Sequence, residues 1–542
     1  MNLSELSSKK TPFLIFVFFF IIYIATSGGH VDVFDGVASF LTVENFALNG
    51  SPSINYQTNL ESSKKLGFEL DPYIKMKSSI IHAERFNKLG IQTESYDVFD
   101  YIHEERAHDR FLIDNENFFG PTYLPIVFVA APIFLLVQSL SLDPLHFVPL
   151  FTNSIIIALV CTFIFLISRK LFDSEKIAFV LSILFGLTSF IWPYVTSMYS
   201  RPLAILFLMI FLYFILLHKQ NNRLIVPFLA GISLGLAPLS HYFFFYFIPG
   251  SLIFGIISMH KDKKKLSMFL AGFFIMILVI GTANFLRFDD PTSFGAAYDL
   301  ADMGIYLEYH NKFVRTLEGL HGFLFSPGLS LFIYFPIFAL SPFGFYYLYK
   351  KDKLLTIFFL HIVILTYLFI GTNPGWYVRP DSGSHRYLLP ILPFLVFSIG
   401  TLFSHFIDHK KFQLTVILLG ITGFIVNLLG NLVWIMYSFS YGWGPEGLWK
   451  IQDKAFSFTW NPFYSPVIQN LKILSSDWTA QLEVNPEAMN YFKIGLAGCS
   501  YDLFIYCTYG YLPLILLCIA ISVIGFFILK TIGITKKIKS IN

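Results

Sequence analysis

The stretch Thr11–Ala25, TPFLIFVFFFIIYIA, is followed almost at once by Gly28–Gly36, GGHVDVFDG. The first part is uncharged and long enough to anchor in a bilayer. The second sets Asp32 and Asp35 where the chain leaves that bilayer, ahead of a long and mostly polar segment. An acidic pair at that level is poorly placed for burial. It is well placed for chemistry on a substrate whose reactive end lies among lipid headgroups. The apolar stretch could serve as a signal-peptide core, but no small-x-small cleavage site leading into a soluble domain follows it, so it is read as a retained first span.

Composition extends this reading to the whole chain. Of 542 residues, 55% are hydrophobic and only 13% charged, with mean hydropathy +0.63. Soluble domains carry about 25% charged residues, so the composition points to an integral membrane protein with many spans. The 64 Phe and 29 Tyr suit lipid-facing surfaces and interfacial belts. The cysteines, Cys161, Cys499, Cys507 and Cys518, lack metal-ligand spacing, and no disulfide framework is expected.

Apolar runs of spanning length fall at 11–27, 147–167, 177–193, 202–217, 224–240, 242–259, 266–286, 329–349, 354–372, 387–407, 412–436 and 509–530. The predicted fold is therefore an all-α polytopic bundle of about 12 transmembrane helices with long outer loops. A further run, 121–140, is ambiguous. If it does not cross, the short basic connections at Lys9–Lys10, Arg169–Lys170, Lys219/Arg223, Lys261–Lys265, Lys350–Lys353, Lys410–Lys411 and Lys530–Lys539 share one side. The positive-inside rule makes that side the cytoplasm and puts both termini there. Counting 121–140 as a span would send every later basic loop outside. It is expected to lie along or dip into the outer face, broken by Pro121, Pro125 and Pro132, unless it crosses and another span is miscounted. The outer side then holds 28–121, 287–328, 437–508 and the short 372–386. We divide the chain into a core, 1–436, including the outer loop 28–121, and a remainder, 437–542, of outer loop, last span and basic tail.

Chemistry must reside in these outer segments. Asp32 or Asp35 could take a proton from an attacking hydroxyl, although Asp35 could instead cap a helix expected over Gly36–Leu48. His385 and Arg386, in the run Trp376–Pro393, stand just before a span on the side away from the basic loops. An outer arginine there suits a phosphate oxyanion, or simply snorkels to headgroups; Asp381 could pair with it or with Arg379. Arg287 leaves another span and is followed by Asp289, Asp290 and Asp299. Asp289 and Asp290 could hold a divalent cation, but Asp-Asp-Pro is also an ordinary turn start, and the turn is favoured. His241, between closely joined spans, could face the same outer cavity, or be a satisfied interhelical group. Asn49-Gly-Ser51 is a formal glycosylation sequon. The chain has no Walker motif and no HExxH, and its cytoplasmic loops are too short for a nucleotide-binding domain. Cytoplasmic nucleotide-driven chemistry and a nucleic-acid partner are not expected.

The layout resembles the polytopic GT-C glycosyltransferases that use polyprenyl-phosphate sugars, especially the dolichyl-phosphate-mannose-dependent protein mannosyltransferases. The matching pieces are Asp32-Val-Phe-Asp35-Gly, Phe119-Gly-Pro-Thr-Tyr-Leu-Pro125, Arg287-Phe-Asp-Asp-Pro-Thr-Ser-Phe-Gly295, Phe325-Ser-Pro-Gly328 and Arg386-Tyr-Leu-Leu-Pro-Ile-Leu-Pro393. The resemblance implies that Asp35, rather than Asp32, deprotonates an acceptor hydroxyl of a protein, lipid or glycan. The hydroxyl then attacks a hexose on a polyprenyl- or dolichyl-phosphate donor with inversion. It also implies that Arg386, with its neighbours His385 and Tyr387 and with Arg287 and His241, serves the donor at the extracytoplasmic face. The acidic neighbour usual in that family is Gly36 here. The oligosaccharyltransferase branch is a poor match, lacking its Trp-Trp-Asp motif. The competing class is a transporter or flippase of lipid-linked sugars, which would be expected to carry ionisable groups inside spans and inverted repeats; neither is evident.

Overall fold

The computed structural model describes residues 3–31, 34–65, 117–118, 122–196, 198–288, 290–292, 312–371, 385–433, 459–475 and 501–532. Among these the protein is a bundle of helices, as the apolar runs predict. The single exception is a two-residue antiparallel pair, Ile54–Asn55 with Asn117–Phe118.

Helix α1 (Leu3–Thr26) crosses first, and α2 (Phe34–Asn49) follows after a short loop. Helix α3 (Tyr56–Lys65) is tied to α2 through buried Glu44, whose carboxylate accepts from Asn59 Nδ2 at 2.7 Å and Ser62 Oγ at 2.6 Å. Burial pushes the Glu44 carboxyl up from its ordinary range despite those donors. Next come α4 (Leu124–Ser139), α5 (Pro144–Phe172) and α6 (Glu175–Thr188), then α7 (Arg201–His218) and α8 (Ile225–Ser240). A 3-10 turn, Tyr242–Phe247, leads into α9 (Ile248–Met259) and α10 (Lys263–Phe288). The second half holds α11 (Lys312–Phe325), α12 (Leu331–Tyr334), α13 (Ser341–Lys351), α14 (Lys353–Gly371), α15 (Leu392–Phe406) and α16 (Lys410–Leu432). It closes with α17 (Pro466–Ser475), α18 (Phe504–Tyr509) and α19 (Tyr511–Thr531).

Two ends of the bundle can be told apart by what meets there. At one, Lys170 Nζ donates to Gln220 Oε1 at 2.7 Å, Lys265 Nζ to the His218 carbonyl at 3.1 Å and Lys351 Nζ to the Leu171 carbonyl at 2.6 Å. The last turns of α5, α7 and α13 and the first of α10 are thus gathered at a lysine-rich end. At the other stand Arg201 at the start of α7, Arg287 at the close of α10 and Arg386 before α15. The 18 residues of α7 separate the two ends by about 27 Å.

Helix α4, the ambiguous run, has both its ends at the arginine end. Thr122, just ahead of it, accepts from Arg287 Nη2 at 2.7 Å. Just beyond it, His146 in the first turn of α5 bonds through Nδ1 to the Gly29 carbonyl, 2.8 Å away, past the end of α1. It is α5 that runs on to the lysine end. One face of α4 (Ile126, Ala130, Phe134, Val137) is buried and another (Phe128, Leu135, Leu136, Leu140) is bare, as suits a helix lying in the outer boundary of a membrane.

Among the described residues eight helices are long and apolar enough to cross a membrane; the apolar parts of α1, α4 and α8 are shorter. Two expected spans are not continuous. The run 177–193 is α6 followed by a 3-10 turn at Trp192–Thr196, and 329–349 is divided into α12, a turn at Pro336–Leu340, and α13. Pro336 and Pro342 cannot donate into the helical ladder, so the chain restarts at each. Elsewhere the backbones touch: a Cβ on Gly231 of α8 would lie 2.1 Å from the Phe269 carbonyl oxygen of α10, and one on Gly272 would lie 2.3 Å from that of Phe228. Small residues that permit such approach are a membrane-helix packing device.

Cys507 is disulfide-bonded, its partner outside the described residues, while Cys161 and Cys518 are free. The expectation against disulfides is corrected to that extent. Cys507 lies at the arginine end, because Phe504 N in the same short helix donates to the Ser27 carbonyl at 3.0 Å, just past α1.

Candidate functional site

The arginine end gathers cations around aromatic rings. Arg201 opens α7 and is 5% exposed, its guanidinium carbon 4.6 Å from the centre of the Tyr387 ring. Arg386 approaches the same ring at 5.2 Å and the Tyr199 ring at 5.7 Å, and its Nη2 donates to Tyr387 Oη at 3.3 Å. Two guanidinium groups from opposite parts of the chain thus share one tyrosine. Cation–π contact offsets some of the cost of burying such charge. Among the described residues no carboxylate pairs with Arg201, and its buried Nε meets no hydrogen-bond acceptor.

His241 joins α8 to the Tyr242–Phe247 turn and packs in a cluster with two rings, Tyr123 at 4.8 Å and Tyr242 at 5.0 Å. The Phe243 N–H donates to its Nδ1 at 3.2 Å, so the neutral ring carries its proton on Nε2. Burial, then Arg201, then Arg386 hold this imidazole well below its ordinary pKa. It is a neutral donor among cations.

Arg287 extends the cluster. It sits beside Tyr123 and bonds the Thr122 carbonyl, while Thr122 Oγ1 lies 3.1 Å from Thr42 Oγ1 of α2. A second tie to α2 runs through Gly36, where a Cβ would lie 2.9 Å from Val31 Cγ1 and 4.0 Å from Met198 N. The first turn of α2, which holds Asp35, therefore lies against the segment that leads into Tyr199 and Arg201. The same crowding gives a physical reason for glycine where the resembling family carries an acidic residue.

The structure thus brings together Arg386, Tyr387, His241 and Arg287, all read from the sequence, with α2 packed beside them. His385 is one residue away but turned elsewhere. Its ring packs on Tyr334 at 4.4 Å and Phe190 at 5.2 Å, and Nε2 bonds the Leu329 carbonyl at 3.2 Å. Helix α2 begins at Phe34, so Asp35 stands inside the first turn and not at the N-cap expected for it. Asp32, Asp289, Asp299, Arg379 and Asp381 lie outside the described residues. Asp290 Oδ1 accepts from Thr292 N at 2.8 Å and Thr292 Oγ1 at 2.7 Å, the turn favoured for this segment. Among the described residues no group of three His, Cys, Asp or Glu could hold a metal ion. Arg201, Tyr199 and Tyr123 escaped the sequence reading. The available signal for Arg201 was the one used for Arg386, an arginine heading a span away from the basic loops.

The fold is thus an all-α polytopic membrane bundle that sets Arg201, Arg386 and His241 against aromatic rings at one end. Residues 128–283 match the model of a family described as dolichyl-phosphate-mannose-protein mannosyltransferase. That match supports a membrane glycosyltransferase of the GT-C type. The matched segment contains Tyr199, Arg201 and His241; Asp35, Arg287 and Arg386 lie beyond its limits. A search of curated proteins returns no significant match.

Proposed function

We propose that the protein transfers a hexose from a polyprenyl- or dolichyl-phosphate donor to an acceptor hydroxyl of a protein, lipid or glycan, with inversion. The observation that carries this reading is the convergence of Arg201 and Arg386 on Tyr387, with His241 held neutral beside them. A sugar phosphate leaving group gains negative charge as its bond to the anomeric carbon breaks. Guanidinium groups fixed where that charge develops stabilise the transition state, the kind of electrostatic effect that is usually the largest in catalysis. Arg201 and Arg386 fill that role, and His241 offers Nε2–H to the same phosphate. Asp35 is the base. Its carboxylate takes the acceptor proton as the hydroxyl oxygen attacks the anomeric carbon from the face opposite the phosphate.

The arginine end is assigned to the extracytoplasmic face. The lysines gathered at the other end match the positive-inside bias, and the disulfide of Cys507 suits an oxidising compartment. Both termini then fall in the cytoplasm.

The test is transfer of labelled hexose from polyprenyl-phosphate donors in membranes containing wild type or Asp35→Asn. We expect transfer by the wild type and its near-complete loss in the normally inserted variant. Undiminished transfer by the variant would remove Asp35 from its role. Lipid-linked sugar crossing vesicles without transfer would make the protein a flippase.

A further inference from the structure

The loop that delivers Asp35 is held from the far end of the chain. His30 Nε2 lies 2.7 Å from Asp502 Oδ1, and the two side chains are 1% and 8% exposed. Three further contacts fasten the same place. Phe504 N donates to the Ser27 carbonyl at 3.0 Å, His146 Nδ1 bonds the Gly29 carbonyl at 2.8 Å, and the His146 ring stacks on Phe504 at 5.2 Å. The turn is packed too closely for side chains. A Cβ on Gly28 would lie 2.3 Å from Asp502 Oδ1, and one on Gly29, at φ +61°, would lie 2.8 Å from Phe504 Cγ. Glycine alone takes that φ without strain. Asp502 is itself tied to the bundle, its N–H donating to the Leu432 carbonyl at the end of α16 at 2.9 Å.

We propose that residues 501–504 are a strap, and that Asp502 and His30 are positioning residues for the first turn of α2. This inference rests on the reading of Asp35 as the base. The link from strap to base is short. His30 is followed by Val31, whose side chain packs under Gly36 beside Asp35. A general base must stand within hydrogen-bond reach of the proton it takes, and misplacement by about 1 Å can cost about 100-fold in rate. Releasing the loop therefore lowers turnover without removing any group that binds the donor. The inference also gives residues 501–504 a task, as an anchor for the chain that leads from α1 into α2.

The experiment compares wild type, Asp502→Ala and the paired variant His30→Gln/Asp502→Asn, in which an amide can bond an amide without charge. Two quantities are read: transfer kinetics with a polyprenyl-phosphate hexose, and hydrogen exchange of the backbone amides at 34–40. For Asp502→Ala we expect a kcat lower by about 10- to 100-fold, donor KM within about twofold, and faster exchange at 34–40. In the paired variant both are expected to return toward wild type. Unchanged exchange at 34–40, or a rise in donor KM with kcat intact, overturns the strap. So does a failure of the paired variant to recover while its melting temperature is normal. If the wild type transfers no sugar from any such donor while Asp502→Ala still loosens 34–40, the functional reading fails and the mechanical link stands.

Discussion

At one end of the bundle Lys170, Lys265 and Lys351 lie along helix ends and bond backbone carbonyls or an amide, Lys351 exposed and the other two half-buried. At the other, Arg201 and Arg386 lie against the rings of Tyr387 and Tyr199, and burial, with those arginines, holds the His241 imidazole well below its ordinary pKa. The charge has the same sign at both ends but does different work. Lysines that reach water cost little to hold and contribute little, about 0 to 1 kcal/mol each for exposed pairs. Arg201, 5% exposed, lacks most of that solvation, so an anion entering beside it gains an interaction that water would have screened. A cationic end becomes a binding site when charge such as that of Arg201 is desolvated and meets no carboxylate among the described residues.

The largest expected effect tests whether the arginine end is a reaction site at all. Asp35→Asn should lower kcat of hexose transfer by about 100- to 10,000-fold, the range for a lost general base, with donor binding preserved. Next, Arg201→Ala and Arg386→Ala should each lower kcat by about 100- to 1,000-fold, the range for a lost oxyanion donor. Arg201→Lys should recover only part of that, because an ammonium lacks the planar fork that reaches two phosphate oxygens. Steady-state kinetics on purified variants decides both. Full activity in Arg201→Ala would reduce this arginine to a packing element against Tyr387.

A smaller effect separates the two ends by pH. The folded pKa of His241 lies below its unfolded value of about 6.5. The neutral ring is the form the fold favours, so its stabilisation is complete above the unfolded pKa and is lost as pH falls toward the folded value. Melting temperature in detergent should therefore drop between about pH 7 and pH 5 in wild type and drop less in His241→Gln. An equal drop in both would show that neither burial nor the arginine neighbours hold the imidazole neutral.

Much of this was legible in the sequence, for identifiable reasons. Arg386, Arg287 and His241 sit at span ends away from the basic loops, and a charge placed against the prevailing asymmetry marks itself. Arg201 met the same criterion but heads a long apolar run, where it passes for the edge of a span. The expectation that α4 does not cross came from the loop charges and from Pro121, Pro125 and Pro132, and the helix found there is shorter than the long apolar ones. The pairing of His30 with Asp502 left no local signal, because 472 residues separate them and tertiary contacts, such as Phe504 N to the Ser27 carbonyl, bring them together. The breaks at Pro336 and Pro342 were visible as prolines, yet hydropathy averages over them and reports one continuous run. His385 was misjudged because adjacency to Arg386 says nothing of direction: successive residues on a turn face different neighbours, and its ring went to Tyr334.

The smallest effect belongs to the lysine end. Lys351 bonds the Leu171 carbonyl and lies 5.3 Å from the centre of the Phe172 ring, joining α13 to the last turn of α5. It is exposed, so Lys351→Ala should change stability by no more than about 0.5 kcal/mol and leave transfer kinetics unchanged. The comparison is sharpest where the substitutions match, one cation for one alanine at each end of the bundle. A loss of transfer in Lys351→Ala comparable to that in Arg201→Ala would mean that charge serves the whole bundle. Loss confined to Arg201→Ala would mean that burial against aromatic rings, and not positive charge as such, makes the site.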